Sequence, residues 1–206
     1  MIIPKKLEAG NKIGVISTAR KITIQELSPA IKTIENWGLK VVLGVNLFKE
    51  EDQFSGTVEQ RTADLQSMID DNSIKAILFA RGGYGTVQII DSIDFTNLKI
   101  NSKWIVGYSD VTVLHSHLNN LGIASLHATM PINFKNNTKE SLSSLKNSLF
   151  GNLNNIECKA HPLNKFGKIE GHIVGGNLSI IYSLLGSHSD IDTTGKILFI
   201  EDLDEY

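Results

Sequence analysis

The chain has a single cysteine, Cys158, so it can form neither an internal disulfide nor a paired-cysteine metal site, and a reducing cytoplasm is the expected setting. It also lacks a run of like charge. Its 20 Lys and Arg stand against 22 Asp and Glu, a net charge of −2, which argues against a nucleic-acid or anionic-membrane partner. No stretch approaches the roughly 18 apolar residues of a membrane span, and the opening MIIPKKLEAGNKIG has no apolar core of a secretion signal. His, Asp and Glu show no metal-ligand spacing, so neither metal nor cofactor is expected. What is left is a small-molecule partner.

What is present is 41% hydrophobic residues in 206, enough for a substantial core, arranged as strands alternating with helices. KIGVIST (12–18) reads as a strand, followed by a helix with Leu27, Ile31, Ile34 and Trp37 at helical spacing. Thr23 with Glu26, and Thr57 with Gln60, have the spacing of capping boxes. LKVVLG (39–44), IKAILFA (74–80), KWIVG (103–107) and IASLH (123–127) are the further strands. Helices are expected around Leu65, Met68 and Ile69, around Val87, Ile90 and Ile93, over VTVLHSHLNN, and over 138–151. The alternation predicts a doubly wound, mostly parallel α/β sheet, with ligands beyond the carboxyl ends of its strands. We assign residues 1–150 to this N-terminal domain and the Asn-rich segment 151–168 to a linker. Residues 169–206 are assigned to the start of a second, β-rich domain, represented by one helix-like run and one strand. ILFIED brings the chain to Tyr206 with nothing after it to cover that strand, so truncation or completion by another chain, a homodimer, is expected.

Two loops fall on the ligand edge. In ARGGYGT (80–86), Gly82, Gly83 and Gly85 permit close backbone approach to a ligand, and Arg81 can pair with a carboxylate or phosphate; a tight turn explains the same residues. In GYSDVT (107–112), Ser109 stands where a nucleophile elbow would hold it, yet serine is equally a good helix cap and the elbow's second glycine is missing. Of the six histidines, His115 lies about 9 Å along a helix from Ser109, out of reach, and His127 ends a strand on the ligand edge. Glu201 and Asp202 close the last strand, where a carboxylate can orient a histidine or simply be solvated.

ARGGYG, GYSD, GGNL (175–178) and ILFIED, in this order and with FSGT, Arg61, Asp64 and Leu65, resemble the LD-carboxypeptidase family of serine peptidases from residue 7 onward. That family includes muramoyl-tetrapeptide carboxypeptidases and microcin-immunity peptidases. The resemblance implies Ser109 as nucleophile and Glu201 as triad acid, with an oxyanion hole from the N–H groups of Asp110 and the Gly82–Gly83 turn. It leaves Arg81 as a candidate for substrate carboxylates. It implies a murein tetrapeptide-like substrate, cleaved at an L,D bond to release D-Ala in cell-wall recycling. The family's histidine lies well beyond the ILFIED strand, and none of the histidines present matches it, so this chain is expected to be inactive. HATMP (127–131) departs from the HGPM common in relatives. The alternative is a noncatalytic phosphate- or nucleotide-binding module, against which no acidic residue follows LKVVLG for a ribose.

Overall fold

A computed structural model describes residues 1–152 and 154–203; Leu153 of the expected linker and residues 204–206 of the expected second domain lie outside the described residues. Five strands, β1 (Lys12–Ile16), β2 (Lys40–Leu43), β3 (Ile74–Phe79), β4 (Trp104–Gly107) and β5 (Leu126–His127), form one sheet in the order β2-β1-β3-β4-β5. Every pairing in it is parallel. The strand order reverses between β1 and β3, so the loops leaving these two strands part and open a crevice at the sheet's carboxyl edge.

Alternate side chains of the strands feed two separate cores, one on each face. Ile13 and Val15 of β1 and Ala76 and Leu78 of β3 pack with Leu27, Ala30 and Ile34 of α1 (Ile24–Asn36) and with Leu145 and Leu149 of α5 (Lys139–Leu149). Ile16, Ile77 and Phe79 point the other way. They meet Leu65, Met68 and Ile69 of α2 (Val58–Asp70), Leu98 of α3 (Thr96–Ile100) and Val113, Leu114 and Leu118 of α4 (Thr112–Asn120). This is the period-two alternation of strands buried on both faces, and it gives the doubly wound α/β fold expected. Both capping boxes form, each with the Thr hydroxyl on the backbone three residues on and the Glu or Gln side chain returning to the cap N–H.

Three local expectations are corrected. The helix expected around Val87, Ile90 and Ile93 is two single 3₁₀ turns, Thr86–Gln88 and Ile90–Ser92, with Val87 exposed and Ile89 buried in its stead. Its first N–H groups are held by a side chain from another loop, which fixes the entry before a helix can start. The strand expected over 123–127 keeps only Leu126–His127, because Ile2 bridges to Ile123 and accepts from the Ala124 N–H, diverting that stretch. The last segment contains two strands rather than one: β6 (Ile173–Asn177) pairs in parallel with β7 (Ile197–Glu201), and α6 (Leu178–Ser183) follows β6.

β6 was hidden by its glycines, which suggest a turn. Gly175 and Gly176 both have positive φ, and a Cβ on Gly176 would collide with the Thr112 side chain, while one on Gly175 would collide with the Phe199 carbonyl. That close approach lets the Asn177 N–H donate to Thr112 Oγ1 at 2.9 Å, fastening the second sheet to the first turn of α4. β7 leaves Leu198, Phe199 and Ile200 exposed. No helix among the described residues is long and apolar enough to cross a membrane.

Candidate active site

The loop from β4 into α4 is the sharpest turn on the ligand edge. Ser109 has φ +57°, a left-handed conformation that costs a non-glycine residue free energy and persists only where surrounding structure enforces it. The enforcement is visible. A 3₁₀ turn, Ser109–Val111, begins at once, and Gly107 lies so close to Val111 that a Cβ there would overlap it. The serine caps nothing, for no side-chain capping bond is made at the start of this turn or of α4. The hydroxyl instead faces the glycine loop: a Cβ on Gly82 would sit 3.4 Å from Ser109 Oγ. The two loops thus share one site.

Asp110 joins them. It is buried, and its Oδ2 accepts from the Gly85 N–H at 3.2 Å, the Thr86 N–H at 3.0 Å and the Thr86 hydroxyl at 2.7 Å. Thr86 Oγ1 in turn lies 2.6 Å from Thr18 Oγ1, so the loops after β1, β3 and β4 are linked through one buried chain. Burial pushes the Asp110 carboxyl up from the ordinary range, opposed by these donors and by the charge of Arg61. Arg61, also buried, reaches the same floor and donates to the carbonyls of Thr18 and Gly85. Asp64 has a different task, accepting from the backbone and side chain of Asn46.

Among the described residues, the N–H groups of Gly82, Gly83 and Asp110 donate to no protein acceptor. Those of Gly85 and Thr86 are already committed to Asp110, and the glycine loop leads into a 3₁₀ turn rather than a helix. A phosphate cradle needs successive free N–H groups at a helix start, so this loop suits a single oxyanion better.

Glu201 arrives from the second sheet, paired in register with Asn177. Burial raises its carboxyl above the usual range, while the Asn177 side chain and the Ser109 backbone N–H pull it back, which puts it beside the elbow. Its Oε1 is buried with no hydrogen-bond partner among the described residues. The adjacent Asp202 is spent on structure: it accepts from the Asn177 amide at 2.9 Å and from the N–H and hydroxyl of Ser179, and these bonds lower its carboxyl to about 2. Arg81 is half engaged as well, 3.8 Å from Glu26 and 3.5 Å from the Lys21 carbonyl.

None of the described histidines hydrogen-bonds to Ser109 or Glu201. His127 packs edge-on against Tyr108 and Phe199 and at a tilt to His115, with ring centroids 5.1 to 6.2 Å away. His161, His172 and His188 are exposed. His115 is packed, as expected for a helix position out of reach. Its Nε2–H donates to the Gly107 carbonyl at 2.9 Å, and its Nδ1 accepts from Ser125 Oγ at 2.8 Å.

Burial lowers the His115 imidazole to about 4, with His127 adding slight repulsion. The folded state therefore binds fewer protons than the unfolded one between pH 6.5 and 4, and stability falls as pH drops through that window, by roughly 3 kcal/mol from this group. His115→Gln, which keeps a donor to Gly107, should lose about 2 to 3 kcal/mol less than the wild type between pH 7 and 4 in urea unfolding. Equal losses would show that another group governs the acid limb.

Sequence reading missed Arg20, Thr18, Thr112 and Asn177. The first two follow β1 at the crevice, a position that only the strand order reveals.

Solved structures place this architecture. An MccF-like protein from Bacillus anthracis superposes with a TM-score of 0.82 at 22% identity, over 97% of this chain and 69% of that one. A muramoyltetrapeptide carboxypeptidase from Oxalobacter formigenes gives 0.81 at 24%, over 95% and 67%. The fold is shared with both. Residues 13–128 match the LD-carboxypeptidase N-terminal domain and residues 170–206 its C-terminal domain, so the chain belongs to the LD-carboxypeptidase family. A probable murein peptide carboxypeptidase of Bacillus subtilis is 38% identical over 98% of this chain, and a murein tetrapeptide carboxypeptidase of Pseudomonas aeruginosa is 28% identical over 94%. The chain spans 65% of the length of the Bacillus protein and 67% of that from Pseudomonas.

Proposed function

We propose that this protein is a serine carboxypeptidase that cleaves an L,D peptide bond and releases a C-terminal D-amino acid, with a murein tetrapeptide ending in D-Ala as substrate. The observation that carries the reading is Ser109, held at positive φ with its hydroxyl uncapped and turned toward Gly82. Ser109 Oγ attacks the scissile carbonyl, and its proton passes through a base to the departing amine of D-Ala. The resulting acyl ester is then hydrolysed by water. The N–H groups of Asp110 and of the Gly82–Gly83 turn hold the oxyanion. Glu201 orients an imidazole, and its unpartnered Oε1 is the kind of acceptor that an imidazole N–H satisfies.

In this proposal the base lies outside these 206 residues, which alone are a poor catalyst; that no described histidine hydrogen-bonds to Ser109 supports this. The names of the Bacillus and Pseudomonas relatives support the substrate class. A cytoplasmic setting and a homodimer belong to the same proposal, the latter supported by the exposed side chains of β7.

The test is D-Ala release from a purified murein tetrapeptide, followed by a D-amino-acid oxidase assay, in a chain prolonged by the family's remaining C-terminal portion. Release should depend on Ser109, fall by at least 10³-fold in Ser109→Ala, and be absent from a peptide ending in L-Ala. Undiminished release by Ser109→Ala would remove the serine mechanism.

A further inference from the structure

The loop after β1 adds a cation to this site that the sequence pattern did not single out. The backbone of Arg20 is fixed at three points: its N–H donates to the Gly82 carbonyl at 3.4 Å, its carbonyl accepts from Ser17 Oγ at 2.7 Å, and it bridges to Phe54. Its side chain lies along Gly83, where a Cβ would collide with Arg20 Cγ and Cδ and would stand 3.0 Å from Nε. Gly83 is thus bare because the arginine stem crosses it, and its φ of +120° suits only glycine. The residue is exposed, and among the described residues its guanidinium has no ion pair, hydrogen bond or ring contact. Arg81, the cation flagged by the motif, differs on each count, being turned back onto Glu26 and the Lys21 carbonyl.

We infer that Arg20 is the residue that recognises the free terminal carboxylate of the peptide, and so makes the site select for chain ends. This rests on the peptidase reading above. A carboxypeptidase must find a carboxylate one residue beyond the carbonyl that its nucleophile attacks. A Cβ on Gly82 would lie 3.4 Å from Ser109 Oγ and one on Gly83 would collide with the Arg20 stem, so adjacent residues of one loop border the two side chains. A guanidinium with a fixed backbone and an unengaged head is suited to a two-pronged hold on a carboxylate. The crevice where the strand order reverses is also where an open α/β sheet places its ligand.

The experiment measures equilibrium binding of two probes by calorimetry: a tetrapeptide ending in free D-Ala and the same peptide ending in D-alaninamide. Both are titrated into the chain, its Arg20→Gln variant and its Arg81→Gln variant. The wild type should prefer the free acid by roughly 10- to 100-fold, the range of a charge-assisted hydrogen-bonded pair. Arg20→Gln should bind the two peptides alike, with amide affinity unchanged, and Arg81→Gln should retain the preference. Survival of the preference in Arg20→Gln overturns the assignment, as does equal binding of both peptides by the wild type; either leaves the peptidase reading standing. Failure of the wild type to bind either peptide overturns both.

Discussion

Hydrolysis of an L,D-tetrapeptide by these 206 residues alone is expected to run on the order of 10⁵- to 10⁶-fold more slowly than by a chain prolonged with the family's remaining C-terminal portion. A serine hydroxyl is a weak nucleophile near neutral pH unless a neighbouring base takes its proton. Among the described residues no histidine hydrogen-bonds to Ser109: His115 is bonded to Gly107 and Ser125, and His127 meets the rings of Phe199 and Tyr108 edge-on. Glu201 does not replace an imidazole, because its assigned part is to orient one. What stays in place is the proposed oxyanion hole and the binding surface, which elsewhere leave about 10³ to 10⁴ over water when a triad is removed. The measurement compares kcat for D-Ala release by the two chains and by the longer one carrying Ser109→Ala. Rates within tenfold of each other for the short and long chains would mean that a histidine inside the chain acts as base, His127 being the first to replace.

The parts of this molecule that were legible in the sequence are those fixed by local chemistry. Two capping boxes set the starts of α1 and α2, and the apolar runs of β1, β3 and β4 had to be buried on both faces. On local pattern the elbow could be located but not decided, since serine at a strand-to-helix turn serves as cap or nucleophile with the same neighbours; only the family resemblance favoured the nucleophile. What separates the two is φ and the direction of the hydroxyl, and both are imposed from elsewhere in the chain. Long-range contacts hid the rest. β6 appeared as a turn because its glycines answer to Thr112 and Phe199, distant in sequence, and the helix expected after Gly85 was lost to the Asp110 carboxylate. Arg20 went unnoticed because its importance depends on strand order: only when β1 is known to lie beside β3 does the loop after β1 meet the glycine turn.

The same dependence on distant partners makes Arg61 the side chain whose loss should cost the fold most. It is 1% exposed and lies under the floor of the site. One of its terminal nitrogens donates to the carbonyls of Thr18 at 2.8 Å and Gly85 at 3.0 Å, tying the loop after β1 to the loop after β3. Its other groups reach the Gly56 carbonyl at 3.3 Å and Gln88 Oε1 at 2.7 Å, and its guanidinium lies 4.7 Å from the centre of the Phe54 ring. Arg61→Met fills much of the volume but leaves three buried carbonyls without this donor, and it removes a positive charge that opposes the burial-driven rise of the Asp110 carboxyl. Breaking such an arrangement from one side costs about 3 to 5 kcal/mol, which for a chain of this size lowers Tm by roughly 10 °C. Arg61→Lys should recover only part of the loss, because an ammonium on a flexible stem does not reproduce the planar fork that spans two loops. Gln88→Ala, which removes one solvent-side partner, should cost under about 1 kcal/mol. Urea unfolding of the three variants decides the matter. A loss below about 1 kcal/mol in Arg61→Met would mean that the loops are held by Asp110 and the Thr18–Thr86 pair without the arginine, and full recovery in Arg61→Lys would mean that charge alone, not the two-loop span, is what the floor requires.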